Sequence, residues 1–262
     1  MRQNIYFKVK KNSDDKEWLM MVHGFTQNHK VFNKQVEEFK KDYNLLMIDL
    51  RGHGKSKDGL GSYGIEEYAD DIQDVLMELQ LEDLHYWGTH TGTAIGLVLY
   101  FRNSSLIKSL ILEGTVLPGY EMPKVTQLIE RAKRISKEKG IEVAREDWFN
   151  HAEWFKNINE NYDDCRGKEH YKLIKEFRGE PWIIESVSRK VMDVRSRLSD
   201  IIIPIMIYNG EYEMEIFKEV ADEVENNVKN ITRIIISEAG GFPCWEKPMA
   251  VNKEVKEFLS SQ

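Results

Sequence analysis

The chain has 262 residues, 41% of them hydrophobic and 11% aromatic, enough to bury a large core. Lysine and arginine total 37 against 44 aspartate and glutamate, a formal net charge of −7, which argues against a nucleic-acid partner that needs a basic face. No run of 18 apolar residues exists to span a membrane, and two cysteines, Cys165 and Cys244, give neither a disulfide framework nor zinc spacing. The opening MRQNIYFKVKK has no apolar signal core, so no secretory signal is expected and the cytoplasm is the expected compartment.

In chain order, NIYFKVK (4–10) alternates in polarity and predicts an exposed first strand. WLMMVHG (18–24), NLLMIDL (44–50), LHYWG (84–88), SLILEG (109–114), IPIMIYNG (203–210) and TRIIIS (232–237) are nearly continuous apolar runs, the pattern of strands buried on both faces of a parallel sheet. Helical periods fall between them, near 30–41, 65–79, 92–102, 215–228 and 247–260. Strand and helix in alternation predict a three-layer α/β fold with a mostly parallel central sheet flanked by helices.

The alternation stops between about 118 and 199, where no buried strand is visible. KVTQLIERAKRISKEKG (124–140) and EVAREDWFNHAEWFKNI (142–158) are amphipathic helical stretches instead. A segment of that length is too long for a plain crossover. It is expected to form a helical cap (118–199), inserted after the strand that ends at Glu113, over a core made of 1–117 and 200–262. Its aromatic residues include Trp148, Phe149, Trp154, Phe155, Tyr162, Tyr171 and Trp182. Packing of the cap accounts for any one of them, whereas lining of an apolar pocket accounts for two or three as a group, with Trp148 and Trp154 the candidates.

Five segments, in order, resemble the α/β-hydrolase superfamily across nearly the whole chain. They are VHGFTQNHKVF, IDLRGHGKS, GTHTGTAIG, PIMIYNGEYE and SEAGGFPCWEKP. The third stands where that family carries G-x-S-x-G, a strand–turn–helix elbow with serine as nucleophile. The cap, with its GIEVAREDWF, is similar to that of small esterase, lyase and thioesterase-like members. The resemblance puts His90 at the nucleophile position, Glu213 at the acid and Gly241 at the histidine. Serine attacks, histidine takes its proton and the acid orients the histidine, so this chain lacks two of the three groups. Serine-type hydrolysis is not expected. The resemblance also implies an oxyanion hole built from the backbone N–H groups of Phe25 and Thr91, which do not depend on the side chains there.

His90 is then the residue to explain. Oriented by Glu113, at the end of its strand, or by Glu213, it would serve as a general base on water or on an acidic C–H, its pKa raised by the carboxylate. Alternatively it donates to a ligand oxygen, and Glu113 caps a helix or pairs with a lysine. Cys244 as a recruited nucleophile is disfavoured, because a free cysteine is more often a buried apolar residue. His23 and His53 are expected to bond backbone, and His29 faces pocket or solvent. His85, His151 and His170 are expected in ordinary surface or core roles. Gln27 and Asn28, just beyond the oxyanion loop, are candidate ligand contacts. No cofactor or metal is called for. The partner is a small molecule, with no nucleic acid or membrane and no oligomeric state implied. Two functions stay open: an enzyme with altered chemistry on a small, partly apolar carbonyl compound, or a pseudo-hydrolase that senses a ligand or contacts a partner.

Overall fold

The apolar runs pair into one sheet: β1 (Phe7–Lys10), β2 (Trp18–Val22), β3 (Asn44–Ile48), β4 (Leu84–Thr89), β5 (Ile107–Glu113), β6 (Ile205–Gly210) and β7 (Ile231–Ile236). The strand order is β1-β3-β2-β4-β5-β6-β7. Only β1 runs antiparallel to its neighbour, with Phe7 opposite Ile48 and Val9 opposite Leu46. The other pairs are parallel. The computed structural model describes residues 5–56, 61–161, 166–185 and 187–262; Tyr162 and Cys165 lie outside them.

Side chains two apart share a sheet face, and the core divides on that period. Met20, Val22, Leu46, Ile48, Tyr86, Leu110, Leu112 and Ile207 belong to one apolar cluster. Leu19, Met21, Leu45, Met47, Trp87, Ile111, Met206 and Tyr208 belong to the other. Central strands therefore carry apolar residues on both faces. β7 departs from the sequence expectation: as an edge strand it is only half-buried, with Ile235 exposed.

Helices follow the strands on both faces. A 3-10 turn (His29–Phe32) and α1 (Asn33–Phe39) come after β2, and α2 (Ile65–Glu78) after β3. α2 buries Tyr68, Ala69, Ile72, Val75 and Leu76, a stripe at helical spacing. α3 (Thr91–Arg102) follows β4 and is buried from Gly92 to Tyr100, too uniformly for its period to be read. Between β5 and β6 the described residues hold no strand. This insertion contains α4 (Pro123–Lys139), α5 (Ile141–His151), α6 (Lys156–Asn161), α7 (Arg166–Glu176) and α8 (Glu180–Ile183). After β6 comes α9 (Glu215–Asn227), and after β7 come the short α10 (Pro243–Glu246) and α11 (Pro248–Ser260).

The stretch 142–158 reads as one helix in sequence but folds as three pieces. Ala152 adopts φ −75°, ψ 125°, which ends α5, and a 3-10 turn (Glu153–Phe155) precedes α6. The break lets Trp154 and Phe155 turn inward, where both are buried. Burial of two large aromatics outweighs the lost helical hydrogen bonds.

Candidate functional site

The turn from β4 into α3 is held by tight packing. A Cβ on Gly88 would lie 2.6 Å from the Gly92 carbonyl carbon, and one on Gly92 would fall into the Val22 carbonyl oxygen. Only glycine lets α3 start this close to the sheet. Tyr86 donates its hydroxyl to the Gly92 carbonyl (2.7 Å), and the Thr93 hydroxyl donates to the His90 carbonyl (2.6 Å) while accepting from the Val116 amide (2.8 Å). His90, at the apex, has φ 46°, ψ −112°, a strained backbone for a residue with a side chain.

The His90 ring packs against Phe242 (4.7 Å between centroids) and Phe217 (5.2 Å), and a Cβ on Gly114 would sit 2.7 Å from its Nε2. The residue is 8% exposed. Neither ring nitrogen has a hydrogen-bond partner among the described residues. Burial pushes its pKa down to about 3, so the imidazole is neutral across the physiological range.

The expected orienting bond from Glu113 or Glu213 is therefore not formed. Glu113 is fully buried and already engaged: Oε2 accepts from the Cys244 amide (2.7 Å) and Oε1 from the Cys244 thiol (3.2 Å). The Tyr208 hydroxyl also bonds it, and in turn accepts from Trp87 Nε1 (2.9 Å). Desolvation outweighs these bonds and pushes Glu113 up to about 7. Glu213 accepts from the Met214 amide (3.0 Å) through Oε1, and burial raises its pKa well above the carboxylate range. Burial thus shifts both acids toward the neutral form. The Cys244 thiol is fully buried and its pKa is raised by burial and by Glu113, the opposite of an activated nucleophile.

Gly241, the position the resemblance gives to the triad histidine, faces the insertion. A Cβ there would lie 2.7 Å from the Trp154 carbonyl oxygen and 2.9 Å from the Trp154 Cβ. The inward turn at Ala152 thus fills the space beside residue 241 with backbone, and no larger side chain fits without moving it.

A small apolar cavity opens over His90. Gly24, Phe25 and Thr91 form its floor together with His90; Val116 follows β5, Phe217 lies in α9 and Phe242 just before α10, and Val125, Ile129, Trp148 and Trp154 come from the insertion. Phe25, Thr91, Trp148 and Trp154 are thus brought to one cavity. Thr91 opens α3, where an amide has no acceptor within its own helix. Val125, Ile129, Phe217 and Phe242 were not legible as lining: in sequence they are ordinary apolar positions on amphipathic segments.

Gln27 and Asn28 are not at the cavity, contrary to expectation. Both are buried and hold the insertion instead. The Gln27 amide donates to His170 Nε2 (3.0 Å), and the Asn28 amide donates to Glu176 Oε2 (3.0 Å) while its oxygen caps the 3-10 turn at the Lys30 amide (3.0 Å). Beside them Trp148 Nε1 donates to Thr26 Oγ1 (3.0 Å). Thr26 sits at φ 64°, so an uncommon backbone is braced from above.

The remaining histidines have local explanations. His23 Nδ1 donates to the Gly24 carbonyl (2.7 Å) and Nε2 accepts from the Leu50 amide (3.0 Å); His53 Nδ1 donates to the Arg51 carbonyl (3.0 Å). His29 faces neither pocket nor open solvent, being buried against Asp49 Oδ1 at 2.8 Å. His170 is fully buried beside Phe242, with its pKa pushed down to about 3 by burial and then by His90. No group of three or more His, Cys, Asp or Glu is placed to hold a metal among the described residues. Nor is any helix among them long and apolar enough to cross a membrane.

A family model described as the alpha/beta hydrolase fold matches residues 17–150. The chain belongs to the alpha/beta hydrolase fold family. AB hydrolase superfamily protein YisY of Bacillus subtilis is 24% identical over 93% of this chain and 91% of its own length. The (E)-2-((N-methylformamido)methylene)succinate hydrolase of Acinetobacter baylyi is 19% identical over 94% and 91%. Among solved structures, the enol-lactonase of Burkholderia xenovorans superposes with a TM-score of 0.84 at 17% identity, covering 98% of this chain and 96% of that one. At such identities the superposition speaks for the fold alone. The fold is one that takes small-molecule substrates.

Proposed function

We propose that this alpha/beta hydrolase-fold protein binds a small, partly apolar carbonyl compound beneath a helical cap formed by residues 118–199, without serine-type hydrolysis. The observation that carries this reading is the state of His90. It is a neutral imidazole with no partner at either nitrogen among the described residues, held in a strained turn at the floor of an apolar cavity. Serine chemistry needs a hydroxyl and an adjacent base. Residue 90 has no hydroxyl, Gly241 carries no base, and Cys244 gives its thiol hydrogen to Glu113. The Phe25 and Thr91 amides supply two donors that a carbonyl oxygen accepts, with the aromatic walls around its apolar body.

A second reading has one observation in its favour: an unpartnered neutral imidazole is free to act as general base on water. Against it stands its basicity, since a conjugate acid near pKa 3 gives little driving force for proton transfer at neutral pH.

The test uses p-nitrophenyl butyrate, a butyryl thioester and an enolisable ketone with wild type and His90→Ala. The binding reading predicts saturable quenching of tryptophan emission, since Trp148 and Trp154 border the cavity, with no turnover above buffer. Turnover in wild type that His90→Ala abolishes supports the base reading. Turnover unchanged by His90→Ala refutes any role for His90 in it.

A further inference from the structure

Resting on that binding reading, we infer that the cavity selects uncharged ligands and rejects carboxylates. Its lining is mostly apolar, with Thr91 and His90 the residues that bring a hydroxyl and an imidazole. None of the lining residues is lysine or arginine. Every other side chain at the wall is aliphatic or aromatic, so a carboxylate entering it gives up its hydration and meets no cation.

The surroundings favour the neutral ligand further. Behind Phe242 and His90 lie Glu113, Glu213 and Glu246, all buried, and each disfavours ionisation of another: Glu213 feels Glu113 and Glu246, and Glu113 feels Glu246. None of the three lines the cavity, so they give an entering carboxylate no cation either. One feature pulls the other way. The N-terminus of α3 points its amides at the floor and favours negative charge. That partial charge is shared by any carbonyl oxygen, through its dipole, without the desolvation of a full charge. Neutral esters, lactones and ketones therefore gain the two donors and lose little.

Methyl phenylacetate and phenylacetate are a probe pair that differ in charge but hardly in shape. Binding is read from tryptophan emission at pH 7 for wild type and for Ile129→Lys, which puts a cation on the half-buried α4 wall of the cavity. The ester is expected to saturate wild type at least about 100-fold more tightly than the acid, the discrimination that burial of an unpaired charge gives. Ile129→Lys is expected to bind the acid at least about tenfold more tightly than wild type does, while unchanged circular dichroism and cooperative thermal unfolding show that the fold is intact. Acid binding equal to ester binding in wild type would overturn the charge selection and leave the binding reading standing. Ester binding without any gain for the acid in Ile129→Lys also counts against charge selection. Binding of neither probe by wild type overturns both.

Discussion

At His90, two local costs meet in one residue. Its backbone is at φ 46°, and both ring nitrogens are buried without a partner among the described residues. A buried unsatisfied polar group costs about 1–3 kcal/mol, so His90→Leu, which keeps the volume and the contacts with Phe217 and Phe242, is expected to stabilise the fold. A gain of about 1–2 kcal/mol, or about 2–4 °C in Tm, is the outcome to check by urea and thermal unfolding. The same variant has a pH signature. The folded pKa of about 3 lies below the ordinary 6.5, so between those values the unfolded chain binds the proton that the folded one refuses. Stability then rises with pH through that window and is complete above 6.5. His90→Leu should flatten the acid limb by one proton. Glu113 has the opposite sign. Its folded pKa of about 7 lies above the ordinary 4.5, so its contribution is fully present below about 4.5 and is lost as pH rises to about 7. In Glu113→Gln, unfolding free energy should fall less between pH 5 and 8 than in wild type. A parallel fall in both proteins would show that Glu113 does not titrate there.

At the scale of elements, the insertion and the sheet loops constrain each other. Trp148, His170 and Glu176 bond Thr26, Gln27 and Asn28 in turn, so the loop bearing Phe25 is set from the insertion side. Trp148→Phe removes one such bond and should cost about 1 kcal/mol, with faster amide exchange confined largely to residues 24–30. The turn at Glu153–Phe155 has a stronger consequence. Because Trp154 crowds residue 241, Gly241→His is expected to destabilise the protein by several kcal/mol, as overpacking against backbone does. His90→Ser with Gly241→His should then remain without esterase activity, measured with p-nitrophenyl butyrate; efficient turnover by the double variant would show that the insertion yields. None of this coupling was visible in sequence. The stretch 142–158 keeps its helical period through Ala152, and the break is decided by what Trp154 and Phe155 can bury.

Across the whole molecule, what was legible followed from repeated patterns. Strands that fill both sheet faces are apolar at consecutive positions, so β2 to β6 stand out as runs, and glycines at 88 and 92 announce a turn where only a missing Cβ lets the helix start. β7 misled because an isoleucine-rich edge strand has the composition of a central one. The floor of the cavity was legible through Phe25, Thr91 and His90, which lie in motifs. Its walls at Val125, Ile129 and Phe217 were not, because an apolar helix position reads the same whether it faces a core or a cavity. Gln27 and Asn28 were misread for a related reason: polar groups beside a ligand loop serve equally well to bond the insertion above it. This pocket is proposed to hold an uncharged carbonyl compound and to return it unchanged. Calorimetric titration of wild type with methyl phenylacetate reads both halves at once. A saturable binding heat with the ester recovered intact is the predicted result, and a sustained heat of turnover with phenylacetate accumulating would contradict it.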